Sequence, residues 1–88
     1  MPTISMFYGI LIRMYAGDSE HNPPHFHAVY QEFDALIDIA KCEIIKGDFP
    51  KKQQKMVLAW AEIHKDELLA DWELSKRGET LFRIEPLK

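Results

Sequence analysis

The chain has 88 residues, of which 47% are hydrophobic and 28% charged, so we expect a single folded domain spanning residues 1–88 and exclude a disordered protein. The formal net charge of -3 argues against wholesale coating of nucleic acid, because phosphate binding needs a densely cationic surface. Cys42 is the only cysteine, which excludes an intrachain disulfide and a cysteine metal cage. With a single thiol, a reducing cytoplasm is the expected compartment. The apolar run near the N-terminus has no basic region before it and is too short and interrupted to span a membrane, so we expect neither secretion nor membrane insertion.

The first strand is predicted over residues 3–15. Its even-numbered positions, from Ile4 to Met14, are apolar, while its odd-numbered positions mix polar and apolar side chains. Apolar residues on both faces are typical of a central strand that is covered on both sides. Gly9, in the middle of the run, predicts a bulge or a close approach by another backbone.

A β-hairpin is predicted from His25 to Ile39, with Gln31 and Glu32 in its turn. This register segregates apolar side chains onto one face, whereas a shift by one residue would mix the two sets. It also places His25 opposite Asp38, with His27 on the same face. The apolar face is predicted to hold Phe26, Ala28, Tyr30, Phe33, Ala35, Ile37 and Ile39, and the other face His25, His27, Val29, Asp34, Leu36 and Asp38.

A turn at Lys41 and Cys42 and a short fourth strand at residues 43–46 are predicted next. From Lys51 the apolar residues recur every three to four positions, which indicates a helix, with a bend or break at residues 64–66. Such a helix is expected to cover the apolar side of the sheet.

Capping residues are predicted at both ends of this helix, with Asp48 as its N-cap and Gly78 as its C-cap. After the helix, residues 81–84 are predicted to form a last short strand. The predicted fold is therefore α+β: an antiparallel sheet of four to five strands with one apolar face covered by a C-terminal helix or bent helix pair, in the order β-β-β-β-α(-α)-β.

Three of the four histidines fall within residues 21–27, which read HNPPHFH. His25 and His27 are two apart on a strand, so their side chains point the same way from backbone positions roughly 6–7 Å apart. They could bind a divalent transition metal such as zinc, with His21 or Asp38 supplying a third ligand.

A metal-free interpretation uses the same residues. Asp38 would fix the tautomer of His25 as a general base or acid, and His27 would supply the complementary proton. Arg13 would stabilise negative charge on a phosphate, which predicts a histidine-dependent nuclease or hydrolase. A third interpretation is that the histidines only satisfy the backbone around the two prolines and perform no chemistry.

A basic cluster lies at the predicted helix start and comprises Lys51, Lys52 and Lys55. The simplest interpretation is that this basic cluster is a solvated surface of the helix. The alternative is a contact with RNA or with an acidic partner.

Three segments carry a resemblance to a known family: MPTISMFYGILIRMY, HNPPHFHAVY and KMVLAWAEIHKDELLADWEL. From Pro2 to Pro86 the chain resembles the bacterial family called domain of unknown function 4160. The resemblance implies a small cytoplasmic α+β protein of bacteria or their phages, often encoded beside another small uncharacterised protein. Members often carry glycine where this chain has Gln31 and the pair Lys41 and Cys42, and glycine tolerates a positive φ in a turn more readily than other residues.

The paired genes imply one component of a two-gene toxin-antitoxin-like module that binds a partner protein and acts on RNA or DNA. A metal-dependent hydrolytic protein and a non-catalytic protein-interaction domain remain the alternatives.

Overall fold

The computed structural model describes residues 3–14 and 23–88, in which five strands form one antiparallel sheet that is followed by two helices. Strands adjacent in the chain are adjacent in the sheet, in the order β1-β2-β3-β4-β5, so the predicted α+β fold is confirmed. The strands are β1 (Thr3–Phe7), β2 (Ile10–Arg13), β3 (His25–Tyr30), β4 (Phe33–Asp38) and β5 (Glu43–Gly47), and the helices are α1 (Lys51–Ile63) and α2 (Lys65–Lys76).

The prediction of one central strand over residues 3–15 was wrong, because the segment folds into the hairpin β1–β2. Tyr8 and Gly9 form its two-residue loop, with φ values of 49° and 80°, and Phe7 pairs with Ile10. Positive φ at both loop positions is the requirement of a type I′ turn, which matches the twist of the flanking strands. Gly9 therefore turns the chain rather than marking a bulge.

The predicted register of the β3–β4 hairpin is confirmed. The paired residues include Tyr30 with Phe33, Ala28 with Ala35, Phe26 with Ile37, and His25 with Asp38. Gln31 lies in the turn at φ 53°, and Cys42, in the turn between β4 and β5, has φ 56°. Both turns thus hold a non-glycine residue in the conformation for which glycine is suited.

The predicted break into two helices is also confirmed, since α1 ends at Ile63 and α2 begins at Lys65. Trp60 of α1 is 0% exposed, and its ring centroid lies 5.3 Å from that of Phe7 and 5.9 Å from that of Phe26. These contacts join α1 to the apolar face of the sheet, as the helical period predicted.

The two predicted helix caps differ in outcome. Asp48 is not the N-cap, because the first helical bond runs from the Gln54 N–H to the carbonyl of Pro50, and Asp48 lies too early in the chain to cap it. Gly78 does end α2, with its own N–H donating to the Ser75 carbonyl and the Glu79 N–H donating to the Leu74 carbonyl. This pair of bonds is the Schellman motif.

The predicted last strand at residues 81–84 does not form. Residues 79–88, which we call the C-terminal segment, have no regular secondary structure. The Ile84 N–H donates to the Ile4 carbonyl at 2.8 Å, and the Phe82 N–H donates to Asp71 Oδ1 at 2.9 Å. Because neighbouring backbone groups bond to different elements, no ladder with β1 can build up.

Neither of the two described helices has the length and apolar character needed to cross a membrane.

Gln31→Gly should raise the free energy of unfolding by about 0.5–1 kcal/mol. In the folded turn, glycine avoids the cost of about 1–2 kcal/mol for a side chain at positive φ. Glycine also loses more conformational entropy on folding, which lowers the stability by about 0.5–1 kcal/mol. Glu32→Gly, at the other loop position, where φ is not positive, is the matched control and should destabilise the fold. Urea denaturation measures both, and a stability change of the same sign in the two variants would contradict the turn assignment.

Trp60→Phe should lower the free energy of unfolding by about 2 kcal/mol, because a cavity opens and a hydrogen bond disappears. The lost bond is the one that Trp60 Nε1 donates to the Glu85 carbonyl at 2.7 Å. Ile63→Ala, at a side chain that is 69% exposed, serves as the control and should change stability by no more than about 0.5 kcal/mol. Denaturant melts of the two variants test this difference.

Candidate histidine–arginine site

The strand register gathers four polar residues on three adjacent strands. Arg13 of β2 lies opposite His27 of β3, and His25 of β3 lies opposite Asp38 of β4. Residues that face each other across a ladder, and residues two apart on a strand, point to the same side of a sheet. Arg13, His25, His27 and Asp38 therefore share one face, and we call this set the histidine–arginine site.

His25 is buried, with 2% of its surface exposed, and its ring lies 4.9 Å from the ring of Trp72 on α2. Its Nδ1 is 2.8 Å from the carbonyl oxygen of Pro23. A carbonyl only accepts hydrogen bonds, so Nδ1 carries the proton, and in the neutral ring the lone pair lies on Nε2. The Pro23 carbonyl at the rigid entrance to β3, and not Asp38 as predicted, therefore fixes the tautomer of this histidine.

His27 is half-buried, and its ring centroid lies 5.7 Å from that of His25 in an edge-on arrangement. The separation allows two imidazoles to reach one small group between or above them. His25 is enclosed and His27 is more accessible, so the two rings have different surroundings.

Asp38 is 4% exposed and has a second, structural use. Its Oδ1 accepts the Lys41 N–H at 2.9 Å, and its carbonyl accepts the Cys42 N–H at 2.8 Å. The carboxylate that faces His25 across the ladder therefore also stabilises the turn into β5.

Arg13 is half-buried, and its Nε is enclosed without a hydrogen-bond partner among the described residues. A buried N–H without an acceptor is unfavourable by about 1–3 kcal/mol. An oxyanion beside His27 would satisfy this donor, because a guanidinium binds phosphate and carboxylate oxygens.

Of the predicted metal ligands, His21 lies outside the described residues. Within residues 3–14 and 23–88, no group of three or more His, Cys, Asp or Glu residues is arranged to hold a metal ion. His25, His27 and Asp38 alone therefore do not form such a group.

Lys51, Lys52 and Lys55 are exposed on the first two turns of α1, whose first turn has no acidic residue. These cations lie at the positive end of the helix dipole, where they do not stabilise the helix. They belong to a different element from the histidine–arginine site.

The sequence did not predict a cavity of about 240 Å³ that lies between α2 and the C-terminal segment. Asp71 lines it and is 1% exposed. Burial raises the pKa of the Asp71 carboxyl, the Phe82 N–H lowers that pKa, and the charge of Glu67 raises it further. A signal was present, since Asp71 follows the buried Leu68 by three positions and therefore lies on the core-facing side of the helix.

The fold and this site define a small α+β protein with a histidine- and arginine-bearing sheet face. The family model described as domain of unknown function (DUF4160) matches residues 9–73, and the chain belongs to that family. Comparisons with curated proteins and with solved structures gave no match.

Asp71→Asn should be more stable than the wild type at neutral pH, with the advantage disappearing as the pH falls below about 4. The folded-state pKa of Asp71 is raised above its ordinary value of 3.8, so the unfolded chain releases this proton first. Wild-type stability consequently falls as pH rises through the interval between the two pKa values, whereas asparagine does not titrate.

Denaturant titrations at a series of pH values measure this effect. Glu73→Gln removes an exposed carboxylate from the same helix and is the matched control. A stability gap between Asp71→Asn and the wild type that does not change with pH would show that the buried carboxylate is not the cause.

Proposed function

We propose that this protein is one component of a two-gene toxin-antitoxin-like module of the bacterial cytoplasm and that its histidine–arginine site cleaves RNA. The observation that carries the proposal is the β2–β3–β4 register, in which Arg13 lies opposite His27 and His25 lies opposite Asp38. A guanidinium with an unsatisfied donor beside two imidazoles suits a phosphodiester.

In the proposed reaction the 2′-hydroxyl of RNA is the nucleophile. His25 Nε2 accepts its proton, because Nδ1 is committed to the Pro23 carbonyl. The O2′–P bond forms and the P–O5′ bond breaks, and protonated His27 donates a proton to the departing 5′ oxygen. The products are a 2′,3′-cyclic phosphate and a 5′-hydroxyl, with one proton taken up and one released.

Arg13 and Asp38 complete the proposed roles. Arg13 binds the phosphate and offsets the charge that develops on its oxygens. Asp38 faces His25 across the ladder and offsets the positive charge that forms on its ring. Because His25 and Asp38 are buried, the phosphate approaches from the side of Arg13 and His27.

His25→Ala and His27→Ala should each reduce RNA cleavage by about 10²–10⁴-fold, the usual contribution of a general acid or base. Cells expressing the wild type should show slower growth and degraded RNA, and cells expressing either variant should not. His64→Gln is the matched control, because His64 lies at the break between the helices and bonds to Glu67. Thermal melts check that each variant folds. If the folded wild type and the folded variants have equal effects on growth and on RNA integrity, His25 and His27 are not catalytic.

Metal binding by His21, His25, His27 and Asp38 is the second candidate function. It is favoured by the 5.7 Å separation of the His25 and His27 rings. Elemental analysis of protein purified without a histidine tag tests it, with His21→Ala as the comparison. If the wild type contains metal at near-stoichiometric occupancy and His21→Ala does not, the site binds metal and the metal-free mechanism is wrong.

Partner binding is tested separately. We expect the protein to co-purify with the product of a neighbouring gene, and the exposed Lys51, Lys52 and Lys55 are our candidates for a contact with that partner or with RNA. If co-purification is observed without RNA cleavage or bound metal, the chain is a non-catalytic interaction domain.

A further inference from the structure

We propose that the cavity between α2 and the C-terminal segment binds an organic cation that carries N–H donors, a primary ammonium or a guanidinium, through Asp71. The cavity residues are Glu67, Ala70, Asp71, Phe82, Arg83 and Ile84. None of them belongs to the histidine–arginine site, so this inference is independent of the proposed RNA cleavage.

The Asp71 carboxyl is the group that selects such a ligand. It is 1% exposed, its Oδ1 accepts the Phe82 N–H at 2.9 Å, and its Oδ2 is enclosed without a hydrogen-bond partner among the described residues. A buried carboxylate oxygen without a donor is unfavourable, and a charged N–H donor satisfies both its hydrogen bond and its charge.

The neighbouring charges leave the cavity with an excess of negative charge. Asp71 and Glu67 contribute two carboxylates and Arg83 one cation, which gives a formal charge of −1. The Glu67 carboxylate is already bonded through Oε1 to His64 Nδ1 at 2.6 Å. Asp71 therefore holds the oxygen that still needs a donor.

Phe82 supplies an apolar wall suited to a cation. Its side chain is 72% exposed although it lines the cavity, and an aromatic face attracts ammonium and guanidinium groups. The volume of about 240 Å³ accommodates either head group with part of its alkyl chain.

Titration of the full chain with n-butylammonium and n-butylguanidinium, followed by amide NMR, tests the proposal. We expect saturable shifts at the Asp71 and Phe82 amides. Tetramethylammonium has the same charge but no N–H donor, so it should bind at least about tenfold more weakly, the equivalent of one charged hydrogen bond. An equal response to tetramethylammonium, or no saturable shift with either N–H cation, would overturn the proposal.

Two variants locate the interaction. Asp71→Asn should weaken binding by at least about tenfold, whereas Glu73→Gln, at an exposed position of the same helix, should leave it unchanged. Phe82→Leu, at an exposed side chain, should weaken binding about two- to fivefold and keeps the test valid if Asp71→Asn does not fold. If both Asp71→Asn and Phe82→Leu bind the N–H cations with unchanged affinity, this cavity is not the binding site.

A third titration distinguishes a cation on a protein side chain from a small free amine or guanidine. A short arginine-containing peptide that binds more tightly than n-butylguanidinium would indicate a side chain of a protein as the natural ligand. Equal or weaker binding of the peptide would indicate a small amine or guanidine.

Discussion

The indole of Trp60 connects parts of the fold that are distant in sequence. Its ring packs against Phe7 of the first hairpin, against Phe26 of the second, and against His64 at the helix break, while its Nε1 donates to the carbonyl of Glu85. An 88-residue chain has a small core, in which one large aromatic side chain carries a substantial share of the buried apolar area. The sheet, α1 and the C-terminal segment all depend on this contact.

The geometry of the histidine–arginine site follows from the same contact. Side chains alternate along β3, so a Phe26 that faces Trp60 leaves His25 and His27 on the other side of the strand. His25 then packs against Trp72, which belongs to α2 rather than α1. The break at His64 lets two consecutive helices reach neighbouring side chains of one strand.

The sequence was most informative where one arrangement alone separates apolar from polar side chains. The β3–β4 register could be predicted because a shift by one residue would place Phe26 and Ile37 with the polar set. The first hairpin could not, since Tyr8 is a poor marker for a positive φ and a register irregularity between Thr3 and Ser5 disturbs the alternation.

The site was predictable to a similar, limited extent. The register brought the four polar residues to one face, but the burial of His25 depends on a contact with Trp72 that lies far away in sequence. Asp71 was missed because the group it bonds to, the Phe82 N–H, lies in a segment without a periodic pattern.

The C-terminal segment has a consequence for synthesis of the chain. Ile4, Trp60 and Asp71 each take a hydrogen-bond partner from residues 82–85, which follow the family match at residues 9–73. These residues are synthesised after the sheet and both helices, so the core is complete only once the C-terminal segment has docked on it. Until then the Trp60 indole N–H and the Asp71 carboxylate lack these partners.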